Sequence, residues 1–314
     1  MSAVLTALLP VFLLIALGAF LKRTLLPDGK SWDAFEALTY FVLFPALLLV
    51  TTATADLREI PATGVGGALA TAIILLSIAL LIARPLLAHA LGLSGPAFTS
   101  VFQGSVRWNT YVALAIAGSL FGVTGLALAS VAIVAMVPLL NFLCVLVLAR
   151  YAADKAPDLH TIAGQILRNP LIWSVLGGIA INLIGVPLPK FAVAFGEILG
   201  RGALALGLLA VGAGLDLDTI WRPHAAVILT VVLKLVVMPA LAVGLALWIG
   251  LSGGPLMVVA IASSVPSAPG SYILARQMGG DAPLLARLLT LQTLVAFLTI
   301  PLVLAVVQTI APAP

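Results

Sequence analysis

The chain has 314 residues, of which 62% are hydrophobic and only 8% charged, and its mean hydropathy is +1.24. Soluble domains carry about 25% charged residues, so this composition excludes a soluble enzyme or a nucleic-acid-binding domain and describes a polytopic membrane protein. The net charge of +4 therefore bears on topology across a bilayer, and the lone Cys144 excludes an internal disulfide or a cysteine-built metal site.

A helix crosses the hydrocarbon core in about 20 residues. Ten apolar segments of that order follow one another, at 3–22, 32–55, 62–84, 96–120, 124–149, 168–187, 191–215, 224–250, 254–277 and 283–308. The longest polar stretch, with Asp154, Lys155, Asp158 and His160, separates a first five-helix repeat (1–149) from a second (168–314) and forms a cytoplasmic linker at 150–167. Matches recur at an offset of 160: Pro10 with Pro170, Gly18 with Gly178, Asp56-Leu57 with Asp216-Leu217, and Asn109 with Pro269. Tyr111 and Tyr272 pair one residue further on. Because five is odd, the second repeat must enter from the opposite side, which makes the fold an inverted-topology repeat.

Charge asymmetry tests that layout, since cytoplasmic loops are enriched in Lys and Arg. With both termini outside, the inner loops and helix ends hold Lys22, Arg23, Lys30, Arg84, Arg150, Lys155, Arg168, Arg222, Arg276 and Arg287. The outer side holds Arg58, Lys190 and Arg201. That distribution agrees with ten spans. The fold class is all-α, with ten transmembrane helices in two inverted repeats.

The fourth and ninth predicted helices are interrupted inside the membrane, by Ser105-Val106-Arg107-Trp108-Asn109-Thr110-Tyr111 and by Ser263 to Tyr272. In lipid a freed backbone group costs several kcal/mol unless protein or a water-filled cavity satisfies it. Broken helices at corresponding places in two halves point to the binding site of a secondary transporter. Arg107 is the sharpest candidate, because its planar fork suits a carboxylate; capping of backbone carbonyls is the competing role. Asn109 suits both an N-cap and a ligand contact. Pro269 and Gly270 break the helix in the other half, and a half-helix starting near Ser271 presents free N–H groups to an anion. Ser267, Ser271, Tyr111 and Tyr272 offer hydroxyls. Lys234, mid-helix, either titrates during transport or makes a fixed bond. Asn141, Gln292 and Thr293 are candidates for cavity lining.

Other signals are missing. No carboxylate falls clearly mid-membrane to hold sodium or a proton, and there is no metal-ligand cluster, phosphate-binding glycine loop or Ser/His/Asp arrangement. The expected partners are a small organic anion and the lipid bilayer. No cofactor is called for, the coupling ion stays open, and an enzyme is not expected. A sodium-coupled symporter of the bile-acid type and a non-transporting sensor remain alternatives.

Phe102 to Gly122 (FQGSVRWNTYVALAIAGSLFG), Pro138 to Asn141, Arg168-Asn169-Pro170 with Gly177-Gly178, Gly212 to Leu215, Lys234 with Pro239, and Ser264 to Asp281 (SVPSAPGSYILARQMGGD) resemble the auxin efflux carrier family. The likeness is to its bacterial branch, which includes malonate and malate permeases. The resemblance implies scaffold helices 1, 2, 6 and 7 and transport helices 3–5 and 8–10. It also implies a substrate beside the crossing of helices 4 and 9, at Asn109 and Pro269, and a homodimer through the scaffold. A bacterial cytoplasmic membrane is the expected location. The first break departs from the family pattern in having Asn109 and Thr110 where a proline is usual.

Overall fold

The computed structural model describes residues 2–55, 61–152, 169–185, 187–217 and 224–311. Most of the linker predicted at 150–167 lies outside these residues, as do Asp56, Leu57, Arg58, Arg168 and Arg222. Within them the chain is helical, with no strand. In order come α1 (Ser2–Thr24), α2 (Gly29–Thr54), α3 (Ala62–Leu91), α4 (Gly95–Val106) and α5 (Thr110–Tyr151). Then follow α6 (Pro170–Ile184), α7 (Lys190–Ala213), α8 (Ala225–Trp248), α9 (Gly253–Ser264), α10 (Gly270–Gln277) and α11 (Ala282–Ile310). Seven stretches, of which Gly95–Tyr151 is one, are long and apolar enough to cross a membrane, and α6 and α9 are shorter apolar helices.

Proline and glycine shape these helices in three ways. α2 and α8 widen into π-turns at Thr39–Leu43 and Leu233–Val237, just before Pro45 and Pro239. Proline brings no N–H and crowds the preceding turn, and the wider turn accommodates both. The third helix was expected to end at 84, yet α3 continues through Pro85 to Leu91; apolar spanning helices tolerate proline where neighbours satisfy the freed carbonyl. α5 reverses at Gly122, whose φ of 57° and ψ of −138° lie outside regular helix. A Cβ on Gly125 would strike the Ala117 carbonyl, so the two arms of α5 fold back on one another.

The chain forms two compact units. Unit 1 comprises Met1–Thr63, Thr110–Val134 and Arg168–Gly214, and unit 2 comprises Gly64–Asn109, Ala135–Leu167 and Leu215–Pro314. In unit 1, α1 packs on α7 and the second half of α2 packs on α6 and α7. Glycines let these backbones touch, as they do where no water drives helices together. A Cβ on Gly18 would strike the Leu209 carbonyl, and one on Gly178 would strike Thr52 Oγ1 and the Leu49 carbonyl. Gly212 meets the Ile15 carbonyl, and Thr52 Oγ1 donates to the Val175 carbonyl at 3.5 Å. These contacts are reciprocal: Gly18–Leu209 becomes Gly178–Leu49, and Ile15–Gly212 becomes Val175–Thr52, on shifting each residue by 160.

Asn182 of α6 donates from Nδ2 to the carbonyls of Ala53 and Ala55, at 2.9 and 2.8 Å, and so caps the end of α2. Asn182→Leu leaves both half-buried acceptors without that donor. It is expected to lower stability by about 1–3 kcal/mol, readable as a lower melting temperature in detergent.

In unit 2, α8 packs on α4, α9 and α11, and α9 and α10 pack on α11. The starts of α4 and α11 are tied together. Ser100 Oγ donates to the Asp281 carbonyl at 2.8 Å, and the Asp281 N–H donates to the Pro96 carbonyl at 3.3 Å. Each helix carries its own N-cap, Ser94 accepting from Ala97 N–H and Asp281 from Leu284 N–H. At the far end of α5, the Arg84 guanidinium lies 4.1 Å from the centre of the Tyr151 ring, a cation–π contact that lets a charge sit against apolar helices.

Candidate functional site at the helix breaks

Two chain interruptions meet in unit 2. α4 stops at Val106, and Arg107 turns extended at φ −70°, ψ 157°. α9 stops at Ser264, and Val265 turns extended at φ −68°, ψ 150°. The chain resumes helix at Thr110 and at Gly270. Each stop frees carbonyls that helix would have paired, and each extended segment frees N–H groups. Nearly all of this backbone is buried, so partners must come from the protein.

They come from the other break and from three side chains. The Asn109 N–H donates to the Pro266 carbonyl at 2.8 Å, linking the two segments directly. Ser267 Oγ donates to the Gly104 carbonyl at 2.7 Å and lies 3.4 Å from the Arg107 carbonyl. Arg107 and Ser267 are themselves 160 residues apart, so the repeat offset relates two residues that touch. Gln292 of α11 accepts the Ser267 N–H at 3.0 Å through Oε1 and donates to the Gly104 carbonyl at 2.9 Å through Nε2. Lys234, fully buried in the π-turn of α8, donates to the Ser263 carbonyl at 3.2 Å and so caps α9.

Arg107 is half-buried and points at α5. Its Nη2 donates to Asn141 Oδ1 at 2.8 Å, and its Nε to Cys144 Sγ at 3.4 Å. A guanidinium has five N–H donors, so three remain. Among the described residues no carboxylate pairs with it. The side chain is thus held in one orientation by neutral partners, with no counter-charge among the described residues.

The other sequence candidates divide. Asn109 is buried immediately before α5, and Pro269, Gly270 and Tyr272 sit half-buried where α10 begins. Gly270 was expected to supply an unusual backbone angle; instead it is not among the glycines with positive φ and takes its place in helix. A Cβ on Gly270 would meet nothing within 4 Å, which leaves open space beside the half-helix start. Tyr111 belongs to unit 1, where its ring stacks on Phe44 with centroids 4.7 Å apart. Thr293 donates back to Leu289 in its own helix at 2.7 Å.

The sequence reading missed two groups. Gln103, one turn before Arg107, is fully buried, and neither end of its amide has a partner among the described residues; the Ser271 hydroxyl and the Trp108 indole N–H are alike in this. Such groups are costly to bury unfilled. Glu36 of α2 acts electrostatically on Tyr111 within unit 1. The i,i+4 spacing of Gln103 and Arg107 was the available signal for the first; only the fold reveals the second.

Comparison with known proteins agrees with a transporter. A protein of Methanothermobacter thermautotrophicus named "Uncharacterized transporter" is 27% identical over 135 residues, which is 42% of this chain and 44% of that protein. The match therefore spans less than half of the relative's length. The profile of a family described as "Membrane transport protein" matches residues 3–304. With nearly its whole length matched, and with the helix breaks that carried the auxin efflux carrier resemblance, the chain belongs to this family of integral membrane transport proteins.

Proposed function

We propose that the protein is a secondary transporter of small organic anions, mono- or dicarboxylates, working by elevator-like alternating access. The observation that carries this is Arg107, a cation oriented by Asn141 and Cys144, with three donors unspent and no acidic partner among the described residues. Charged residues within spanning segments are rare and usually serve a substrate path. The carboxylate of the substrate takes those donors, assisted by the positive N-terminal end of α10, beside which Gly270 leaves open space. Ser271 and Gln103 supply further polar contacts.

The architecture in this reading is ten spans in two inverted five-helix repeats, with both termini outside a bacterial cytoplasmic membrane. Its support is the reciprocal contacts of unit 1 at the 160-residue offset, and the Arg107–Ser267 contact at the same offset in unit 2. The elevator mechanism draws support from the two units, one of which contains both breaks. That unit is the transport body, and it carries the site across as a piece.

The test is counterflow of labelled carboxylates, malonate and malate included, into liposomes holding the purified protein. Saturable counterflow of at least one carboxylate is the expected result. Absence of carboxylate movement from a folded protein that moves neutral or cationic solutes would overturn the substrate class.

A further inference from the structure

Gln292 stands apart from the groups proposed to meet the anion, and its bonding assigns it a different task. The two backbone groups it meets have opposite polarity and belong to different breaks. The Ser267 N–H lies in the extended segment after α9 and has no helical acceptor. The Gly104 carbonyl lies in the last turn of α4, where helical donors run out. A carboxamide presents one acceptor and one donor side by side. It therefore matches this pair where an ionised carboxylate or a thioether does not. Gln292 is itself fully buried, and both of its bonds go to buried backbone groups of the two breaks.

We propose that Gln292 is a positioning residue: it fixes the spacing of the two helix breaks and thereby sets the geometry of the anion site without touching the anion. Ser267 shares the load, because its hydroxyl donates to the same Gly104 carbonyl. The three groups form a closed loop, Gly104 carbonyl to Ser267 hydroxyl, Ser267 N–H to Gln292, and Gln292 back to Gly104. The loop makes α11 an integral part of the site, although α11 offers it no charged group: Thr293, the neighbouring polar residue, is turned back into its own helix. The charged side chains bonded beside the two helix stops are Arg107, held by Asn141 and Cys144, and Lys234, bonded to the Ser263 carbonyl; α10 and α11 also carry Arg276 and Arg287, and Asp281 caps α11.

The link to an anion site rests on the transporter reading; the link to backbone geometry does not. The experiment separates them. Hydrogen–deuterium exchange of the peptide spanning residues 265–271 is followed in the substrate-free protein for wild type, Gln292→Met and Gln292→Glu. Methionine keeps length and removes both bonds. Glutamate at pH 5, where burial keeps a carboxyl protonated, restores a donor and an acceptor in nearly the same places. Each variant is read against wild type at the same pH. Exchange in Gln292→Met should be about tenfold faster or more, and Gln292→Glu at pH 5 should return to within about threefold of wild type. Wild-type exchange in the methionine variant, or a glutamate variant as fast as the methionine one at pH 5, overturns the role. In counterflow with the malonate and malate panel, Gln292→Met should weaken apparent affinity by about tenfold and Gln292→Glu should recover it at pH 5. A methionine variant with fast exchange but unchanged affinity refutes its effect on the site. If wild type shows no counterflow at all, the carrier reading falls while the exchange result still decides the strut.

Discussion

Arg107→Ala abolishes measurable carboxylate counterflow, or raises the apparent Kd by a factor between about 30 and several thousand. That range corresponds to the roughly 2–5 kcal/mol lost when one partner of a buried, hydrogen-bonded charge pair is truncated. The size of the effect follows from the setting. The guanidinium is half-buried, pinned by Asn141 and Cys144, and faces no protein carboxylate among the described residues; in the proposed reading the anion is its counter-charge. Folding should suffer far less. The bonds lost inside the protein, to Asn141 and Cys144, cost about 1–3 kcal/mol, and this is offset because the variant sheds the cost of holding a cation in the membrane. Arg107→Lys should not restore affinity, because an ammonium offers neither the planar fork nor the reach to hold Asn141 and substrate together. Counterflow and ligand-induced shifts in melting temperature, measured on the same preparation, separate the two effects. A folded Arg107→Ala protein with wild-type affinity would assign Arg107 to capping and move the anion elsewhere.

Gly178→Val and Gly18→Val should each cost about 3 kcal/mol or more and prevent assembly of unit 1 at moderate temperature. Overpacking usually costs about 1–3 kcal/mol because side chains yield. Here the obstacle is a backbone carbonyl, Leu49 for Gly178 and Leu209 for Gly18, and a helix must move instead. The two substitutions sit at equivalent places of the proposed repeat, so their effects should match. Gly67→Ala is the control: its Cβ would meet nothing within 4 Å, and replacing a mid-helix glycine by alanine is worth up to about 1 kcal/mol in favour of helix. Thermal unfolding in detergent reads all three. Tolerance of valine at Gly18 but not at Gly178 would break the proposed equivalence.

The helix ends and both interruptions were legible because their causes are local. Proline, glycine and a polar cluster in an apolar run act on the residues beside them, so predicted boundaries such as 283–308 fall within two residues of the observed Ala282–Ile310. The third helix runs past its expected end at 84 and through Pro85, because a proline's effect depends on what satisfies the freed carbonyl, which neighbouring helices decide. The site was legible in its residue types and less so in their roles. Lys234 and Gln292 stand out as polar residues in apolar helices, yet whether a polar group lines a cavity or ties off backbone depends on contacts 29 and 188 residues distant. Tyr111 was grouped with Arg107 by closeness in sequence, but the chain passes from one unit to the other between Asn109 and Thr110. Gln103 drew no notice because one glutamine a turn ahead of an arginine is unremarkable until its burial is known.

The reversal in α5 bears on more than its own hairpin. Thr110–Tyr151 is 42 residues; drawn out as an unbroken helix it would be a rod about 63 Å long, roughly twice the thickness of the hydrocarbon core. One residue prevents this. Gly122 takes a backbone conformation closed to residues with a Cβ, and the chain leaves it heading back the way it came. In the proposed ten-span topology everything downstream inherits the sidedness decided there, so a single glycine sets the parity of the later crossings and with it the face on which each later terminus and loop emerges.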